Sequence, residues 1–291
     1  MLPGSHALRV RQAKQTDVVS IRRLFHENWA AHLRILPEQI DTKLKSCIAL
    51  LAEDDVNLRG VLLVEPHAQY NSLIIGLAIH DNSHIDRILT MLLPALIPHL
   101  IDRDIRGLMQ VGFADWLTQL LPEYGFQVKD KIITYEWHHK PLPNIRSDPH
   151  LEIRSGHISD IPALYHIDQA AFGPFWHKPQ SIFREGLGWA SLFSVGVLDD
   201  NIVAYVWCDQ YESRGHVTRI ATHPNYQGRG IGTQLLHDAL KTMRKLDLPL
   251  ITLNTQAGNE RSQALYERFG FRRTADVIEV YFKAIDDGLE A

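Results

Sequence analysis

The two halves of this 291-residue chain follow one plan, and that repeat constrains its fold more than any other feature. Leu8-Arg9-Val10-Arg11, Thr16-Asp17-Val18 and the apolar run Ile21 to Phe25 read as a strand, a turn and a helix. Leu151-Glu152-Ile153-Arg154, Ser159-Asp160-Ile161 and Leu164 to Ile167 read the same way, 143 positions on (Leu8 to Leu151). In each half a Thr or Ser followed by Asp is expected to cap the helix, since such side chains accept from its free N–H groups. The ends of the halves match as well: Leu120-Leu121-Pro122-Glu123-Tyr124-Gly125-Phe126 parallels Leu265-Tyr266-Glu267-Arg268-Phe269-Gly270-Phe271. Each closes an apolar helix at a Gly suited to the left-handed position, and an aromatic residue starts the next strand. A repeat this long is a domain rather than one turn of a solenoid. Pro141, Pro143 and Pro149 make the intervening stretch read as a linker. The expected organisation is a first domain at 1–140, a linker at 141–150 and a second domain at 151–291.

Composition excludes several classes of protein. Hydrophobic residues at 45% and charged residues at 22% fit globular domains with substantial cores. A net charge of −4 offers no general attraction for nucleic acid or anionic membrane. Cys47 and Cys208 have neither metal-ligand spacing nor the density of a disulfide framework, so a reducing cytoplasm is the expected setting. The histidines are scattered, His138-His139 being the one adjacent pair, and no metal site is expected. Ile88 to Ile101, the longest apolar stretch, contains Pro94 and Pro98 and is too short for a bilayer; Met1 to Val10 has no apolar signal core.

The second half reads as a mixed α/β domain. A hairpin is expected around Asp199-Asp200-Asn201, between Ser194–Leu198 and Ile202–Trp207. A strand follows at His216–Thr222, then a helix with Ile231, Leu235, Leu236, Ala239, Leu240, Met243 and Leu246 on one face. A short buried strand at Leu250–Leu253, a helix at Asn259–Phe269 and a strand at Val277–Phe282 complete it.

Between the strand ending at Thr222 and the long helix, Gly228, Gly230 and Gly232 crowd the loop and the first helical turn. Each glycine in a helix interior costs about 1 kcal/mol relative to Ala. Close approach of a ligand to the backbone is a physical reason to keep them. The free N–H groups and the dipole of the helix start favour an anion there, and a pyrophosphate fits. The spacing G-x-G-x-G is not the dinucleotide fingerprint, and the Gly-Lys-Ser/Thr of a P-loop is absent.

The stretch Arg219-Ile220-Ala221-Thr222-His223-Pro224-Asn225-Tyr226-Gln227-Gly228-Arg229-Gly230-Ile231-Gly232 resembles the signature of the GCN5-related N-acetyltransferase (GNAT) superfamily, with Gln227, Gly230 and Gly232 filling its pattern. Asn259, Tyr266 seven residues later, and Gly270-Phe271 match a second element of that family. The resemblance covers Leu151 to the end; within the superfamily this half is similar to ribosomal-protein-alanine N-acetyltransferases, and the duplicated plan resembles mycothiol synthase and other tandem members. It implies two tandem mixed-sheet domains of the acyl-CoA N-acyltransferase fold.

The resemblance also implies acetyl-CoA as cosubstrate, lying between the strands His216–Thr222 and Leu250–Asn254. Ile220, Ala221 and Thr222 would hold the acetyl carbonyl and pantetheine. Gly228, Arg229, Gly230, Ile231, Gly232 and Thr233 would hold the pyrophosphate beside Gln227. Asn259 is expected to bond the pantetheine arm, to cap its helix, or both. Tyr266 is the candidate general acid for the leaving thiolate; the alternative is an aromatic packed beside Phe269. In the ribosomal-protein-like relatives a Glu occupies the place of Asn254, so the base is open among Asp209, Glu212, His216 and His223, or water. An acceptor amine of low pKa is expected, a protein N-terminus or a small molecule; Asn254 is a candidate substrate contact. The oligomeric state is left open.

At the 143-residue offset, Gln227, Gly228, Gly230 and Gly232 map onto His84, Ile85, Arg87 and Leu89; in the matched ends, 145 positions apart, Tyr266 falls on Leu121. The first domain is therefore expected to lack the usual cofactor site, with Asp86 repelling phosphate. A protein of another class, a catalytically silent acyl-CoA-binding sensor or scaffold, is the alternative.

Overall fold

The computed structural model describes residues 7–285 apart from 69, 81–84, 113, 139 and 212. In chain order the elements are β1 (Arg9–Gln12), α1 (Val18–Glu27), β2 (Ala31–Leu33), α2 (Ile40–Lys43), β3 (Ile48–Glu53), β4 (Leu58–Ala68), β5 (Asn71–Ile79), α3 (Ile85–Ile101), β6 (Gly107–Val111), α4 (Asp115–Leu120) and β7 (Gln127–Trp137). There follow β8 (Glu152–Ser155), α5 (Ile161–Ala171), α6 (Gln180–Trp189), β9 (Leu192–Leu198), β10 (Asn201–Tyr211), β11 (Arg214–Thr222), α7 (Ile231–Arg244), β12 (Leu250–Gln256), α8 (Glu260–Arg268) and β13 (Arg272–Ala284). Among the described residues no helix is long and apolar enough to cross a membrane. The apolar run around Pro94 and Pro98 lies inside α3 and buries Leu92, Leu93, Leu96 and Leu100.

The chain forms two compact units, and they differ from the expected domains at both ends. One unit is Met1–Lys129 with Glu279–Ala291, and the other is Asp130–Ile278. Most of β7 therefore belongs to the second unit, where Ile132–Trp137 pairs antiparallel with β12. The end of β13 belongs to the first unit, where Val280–Ala284 pairs with β6. The repeat dictates the order of elements, but strand pairing decides which sheet a strand joins. The expected linker is also no free tether. Leu142 and Ile145 pack on the second core, and Gln234 accepts from the Asp148 N–H at 2.9 Å.

In the second unit the strand order is β7-β12-β11-β10-β9-β8. The β9–β10 hairpin turns at Asp199 and Asp200, both at positive φ, where short polar side chains tolerate the left-handed region. One face of the sheet is covered by α7 and α8, the other by α5 and α6. The spacing of Ile231, Leu235, Leu236, Ala239, Leu240 and Met243 gives α7 its buried stripe; Leu246 lies beyond the helix and is exposed.

The repeat is visible at atomic scale. Arg11 donates to both carboxylate oxygens of Asp17, at 2.7 and 2.9 Å, and Arg154 does the same to Asp160, at 2.8 and 3.1 Å. The Lys14 and His157 N–H groups donate to the same carboxylates. These Asp residues do not cap α1 and α5, as the sequence suggested. They close the 3₁₀ turns that lead into those helices, because the neighbouring strand supplies an Arg fork as partner. Gly125 and Gly270 take the expected left-handed conformation at the helix ends.

Hydrogen bonding to Arg11 and Arg154 holds the Asp17 and Asp160 carboxyls below the ordinary carboxylate range. A depressed folded-state pKa contributes stability above the unfolded value, and this is lost as the pH falls through the folded one. Asp160→Ala is expected to lower the unfolding free energy by about 1–2 kcal/mol at pH 7. The difference from wild type should shrink below about pH 4, where the unfolded-state carboxyl protonates, and fall away through the lower folded-state value; urea unfolding at several pH values measures both.

Candidate active site

The site begins where two strands part. β11 and β12 run parallel and pair from Arg214↔Leu250 to Val217↔Leu253, and there the pairing stops. β11 continues to Thr222, still paired with β10 on its other edge. β12 continues to Gln256, still paired with β7. A wedge opens between residues 218–222 and 254–256, and the inner edge of β11 carries peptide groups without a strand partner. A bulge marks its apex. Cys208 pairs with Val217 and Trp207 with Arg219, so Thr218 is the extra residue.

At the end of β11 a short 3₁₀ turn, Pro224–Tyr226, leads into the glycine segment. Gly228 and Gly230 both have φ of +83°, and Gly230 is the N-cap of α7. Gln227 braces this turn: its amide donates to the Thr222 carbonyl at 2.9 Å and its oxygen accepts from Arg261 at 2.6 Å. A Cβ at Gly230 would meet no protein atom within 4 Å, and one at Gly232 would touch Thr222 Oγ1 at 3.5 Å and Leu265 Cδ2 at 4.0 Å, both ordinary contacts. The protein's own packing therefore does not demand glycine at 232, and open space is left against the helix start.

That space is a cavity of about 590 Å³. Ten of the expected site residues line it: Ile220, Ala221, Thr222, Gln227, Gly228, Gly230, Ile231, Gly232, Thr233 and Asn259. Arg229 does not. It lines an adjoining cavity of about 480 Å³ with Arg146, Asp148, Thr233 and Arg268, its guanidinium 5.3 Å from the Tyr226 ring. The N-terminus of α7 with Arg261 and Arg268 around it suits a diphosphate. Asn259 caps α8, its side-chain oxygen accepting from the Ser262 N–H at 3.1 Å, which leaves the amide NH₂ for a ligand. Ala171, Phe172, Arg261 and Arg268 line the cavity without having been singled out. The two arginines were readable as the polar face of the helix that begins at Asn259; Ala171 and Phe172 carry no spacing signal.

Tyr266 and Asn254 are not among the cavity-lining residues. Tyr266 is 4% exposed, its ring 6.0 Å from both Tyr135 and Phe271. Burial pushes its phenol up to about 12, against a hydrogen bond with Ser262, which does line the cavity. Asn254 is exposed on β12, one residue past the last β11–β12 pair.

The candidate bases are dispersed. Glu212 lies outside the described residues. Asp209 accepts from the Trp207 indole at 2.8 Å and from the Thr218 hydroxyl. His216 shares a 2.8 Å hydrogen bond with Thr252 Oγ1, and burial lowers its pKa. The His223 ring accepts from the Asn225 N–H at 3.3 Å and stacks on His166. Of the described candidates, neither Asp209 nor His216 nor His223 lines the cavity. Among the described residues no group of three potential metal ligands converges.

The first unit has the same parting of strands, and its own chain fills the gap. β5 and β6 pair in parallel from Asn71↔Gly107 to Leu73↔Met109 and then separate. The edge of β5 freed in this way is taken by β2, with Ala31↔Ala78, His32↔Leu77 and Leu33↔Gly76. Backbone bonds from Arg34 N–H to Ile75 O and from Ile79 N–H to Ala30 O extend the pairing. His32 shares a 2.9 Å hydrogen bond with Gln110 of β6, and burial lowers its pKa to about 4, so the ring is neutral. Of the residues mapped onto the glycine segment, His84 lies outside the described residues, Leu89 is buried in the core, and Asp86 accepts from Tyr124.

A parallel strand pair that splits beside a glycine-framed helix start, in a mixed sheet with helices on both faces, defines the class of acyl-CoA N-acyltransferase folds. Residues 161–271 match the model of the Acetyltransferase (GNAT) family. Residues 161–271 thus carry a GNAT acetyltransferase domain, of a family that uses acetyl-CoA as cosubstrate, and the likeness of the whole chain to a tandem protein is one of fold. The chain is 28% identical over 134 residues to the [ribosomal protein bS18]-alanine N-acetyltransferase of Escherichia coli strain K12, covering 46% of this chain and 88% of that protein. The fold is similar to a GCN5-related N-acetyltransferase from Sphaerobacter thermophilus, with a TM-score of 0.67 and 16% identity over 98% of both chains. It is also similar to a tandem GNAT protein from the clavulanic acid biosynthesis pathway, with a TM-score of 0.67 and 12% identity over 97% of this chain and 100% of that one.

Gly232→Val tests the ligand-space argument without straining the backbone. It is expected to leave the thermal midpoint within a few degrees while weakening acetyl-CoA binding by about tenfold or more, a loss of at least about 1.4 kcal/mol read by calorimetry.

Proposed function

We propose that the second unit binds acetyl-CoA in the wedge between β11 and β12 and transfers its acetyl group directly to an acceptor amine. The observation that carries this reading is the coincidence of an unpaired β11 edge with the glycine-framed start of α7 in one cavity. Pantetheine amides satisfy the exposed peptide groups of residues 220–222, and the diphosphate meets the N–H groups of residues 228–233. That arrangement aims the thioester at the apex of the wedge, where preorganised backbone donors stabilise the developing oxyanion.

The amine lone pair attacks the thioester carbonyl, the C–S bond breaks, and its electron pair leaves on sulfur. Tyr266 is the donor to that sulfur. Its raised pKa keeps the phenol protonated throughout the working range. A phenol near 12 is a weaker acid than a thiol near about 8.5, so its main contribution is a hydrogen bond to the departing thiolate. With no carboxylate lining the cavity among the described residues, the acceptor is best supplied as an amine that loses its proton readily. An α-amine, at about 7.7–8.0, does so far more easily than a lysine side chain at about 10.4. The likeness to an enzyme named for an N-terminal alanine supports a protein or peptide N-terminus as acceptor, with a small-molecule amine as the other candidate.

The first unit is proposed to be a degenerate domain that binds no acetyl-CoA in this way, its slot being filled by β2. A second functional reading, a catalytically silent acyl-CoA sensor or scaffold, draws on the burial of Tyr266 away from the cavity lining.

Calorimetry is expected to give one acetyl-CoA per chain; two equivalent sites would remove the assignment of the first unit. Thiol release with a panel of amines and peptides separates enzyme from sensor. Tyr266→Phe is expected to lower kcat by about 10²-fold with little change in acetyl-CoA affinity. The kcat/KM profile of the wild type should show no basic limb from this phenol below about pH 10, because its folded pKa lies higher still.

A further inference from the structure

We infer that Arg219, paired with Asp168, is a positioning residue that fixes the acceptor-side wall of the acetyl-transfer cleft and thereby sets acceptor affinity. The inference rests on the cofactor site proposed above. Arg219 stands on β11 between the bulge residue Thr218 and the cavity-lining Ile220. It pairs in register with Trp207, whose side chain lies on the face covered by α5 and α6. This is the face opposite α7 and its glycine turn.

The guanidinium is engaged on three sides. Its Nε donates to Asp168 Oδ2 at 2.6 Å, its Nη2 donates to the Trp176 carbonyl at 2.6 Å, and its plane lies 3.7 Å from the Phe172 ring centroid. Asp168 is 0% exposed and also accepts from the Tyr205 hydroxyl at 2.7 Å and the Lys178 N–H at 2.9 Å. The ion pair is closed to solvent, with the Arg219 side chain 9% exposed.

The consequence is mechanical. The segment 172–178 between α5 and α6 is held at Phe172, Trp176 and Lys178 by one buried pair, and His177 ties back to the Phe172 carbonyl at 3.0 Å. Of this segment, Phe172 lines the cavity, together with the preceding Ala171. A buried ion pair adds little net stability compared with apolar packing, but its donors and acceptors have fixed directions. Here those directions lock an aromatic wall onto the strand that carries the thioester slot. The residues proposed to hold the diphosphate are those of the glycine turn and the start of α7, whereas this lock acts on Ala171 and Phe172.

The test uses the full chain, acetyl-CoA, and an alanine-first peptide as acceptor. Arg219→Lys keeps the charge but loses the fork and the stacking plane; Arg219→Gln with Asp168→Asn removes both charges together and leaves no unpaired ion; Phe172→Leu removes the ring alone. All three are expected to raise the acceptor KM by about tenfold or more, with kcat within a few-fold; the two arginine-site changes, which leave every cavity-lining side chain in place, should keep acetyl-CoA Kd within about twofold. Arg219→Lys should be the milder of these two. An unchanged acceptor KM in Phe172→Leu, which leaves the ion pair intact, overturns the inference. So does a rise in acetyl-CoA Kd that parallels the KM in the arginine-site variants. Failure of the wild-type chain to bind acetyl-CoA would instead remove the cofactor site itself.

Discussion

A β-strand edge cannot be left bare inside a protein. Where β11 and β12 diverge after Val217 and Leu253, the inner peptide groups of β11 lose their partner, and the rest of the site follows from how that loss is made good. In the second unit the cleft stays open and faces a helix start framed by glycines, so an extended, amide-bearing ligand with a diphosphate satisfies both features at once. In the first unit the equivalent edge, on β5 beyond Leu73, is paired by β2. One architectural defect thus has two outcomes in one chain, a cleft left open and an edge paired by the chain's own β2.

The two faces of the second sheet divide the work. On the α7–α8 side the helix start, Arg261 and Arg268 line the cavity, while Gln227 spends its side chain bracing the turn. The α5–α6 face holds the buried Asp168–Arg219 pair and the aromatic segment that it fixes. Tyr266 belongs to the core on the α7–α8 face, packed against Tyr135 and Phe271, which explains both its raised pKa and its limited exposure. β7, which supplies Tyr135, comes from the first half of the sequence, so the second unit's core is incomplete without a strand that the repeat assigned elsewhere.

Much of this was legible in the residues themselves. Apolar spacing over Ile231–Met243 is local information, and it placed α7; the turn residues Asp199-Asp200-Asn201 placed the hairpin; glycines at 228, 230 and 232 marked a turn that lines a cavity. These succeed because helix periodicity, turn chemistry and backbone freedom depend on neighbours a few positions away. The conformational roles of Asp17 and Asp160 were misjudged because their partners, Arg11 and Arg154, sit on a preceding strand rather than on the helix.

What the sequence determined alone, then, was the duplicated plan, the chemistry of the glycine turn, and the candidates Asn259 and Tyr266. Only the tertiary structure decided that the halves exchange their last strands, that β2 closes the first slot, and that Arg219 reaches Asp168, Trp176 and Phe172. Those facts rest on pairings between residues tens of positions apart. Which edge a strand finds, and which buried carboxylate a guanidinium meets, is settled by the packing of the whole sheet, where no local spacing rule reaches.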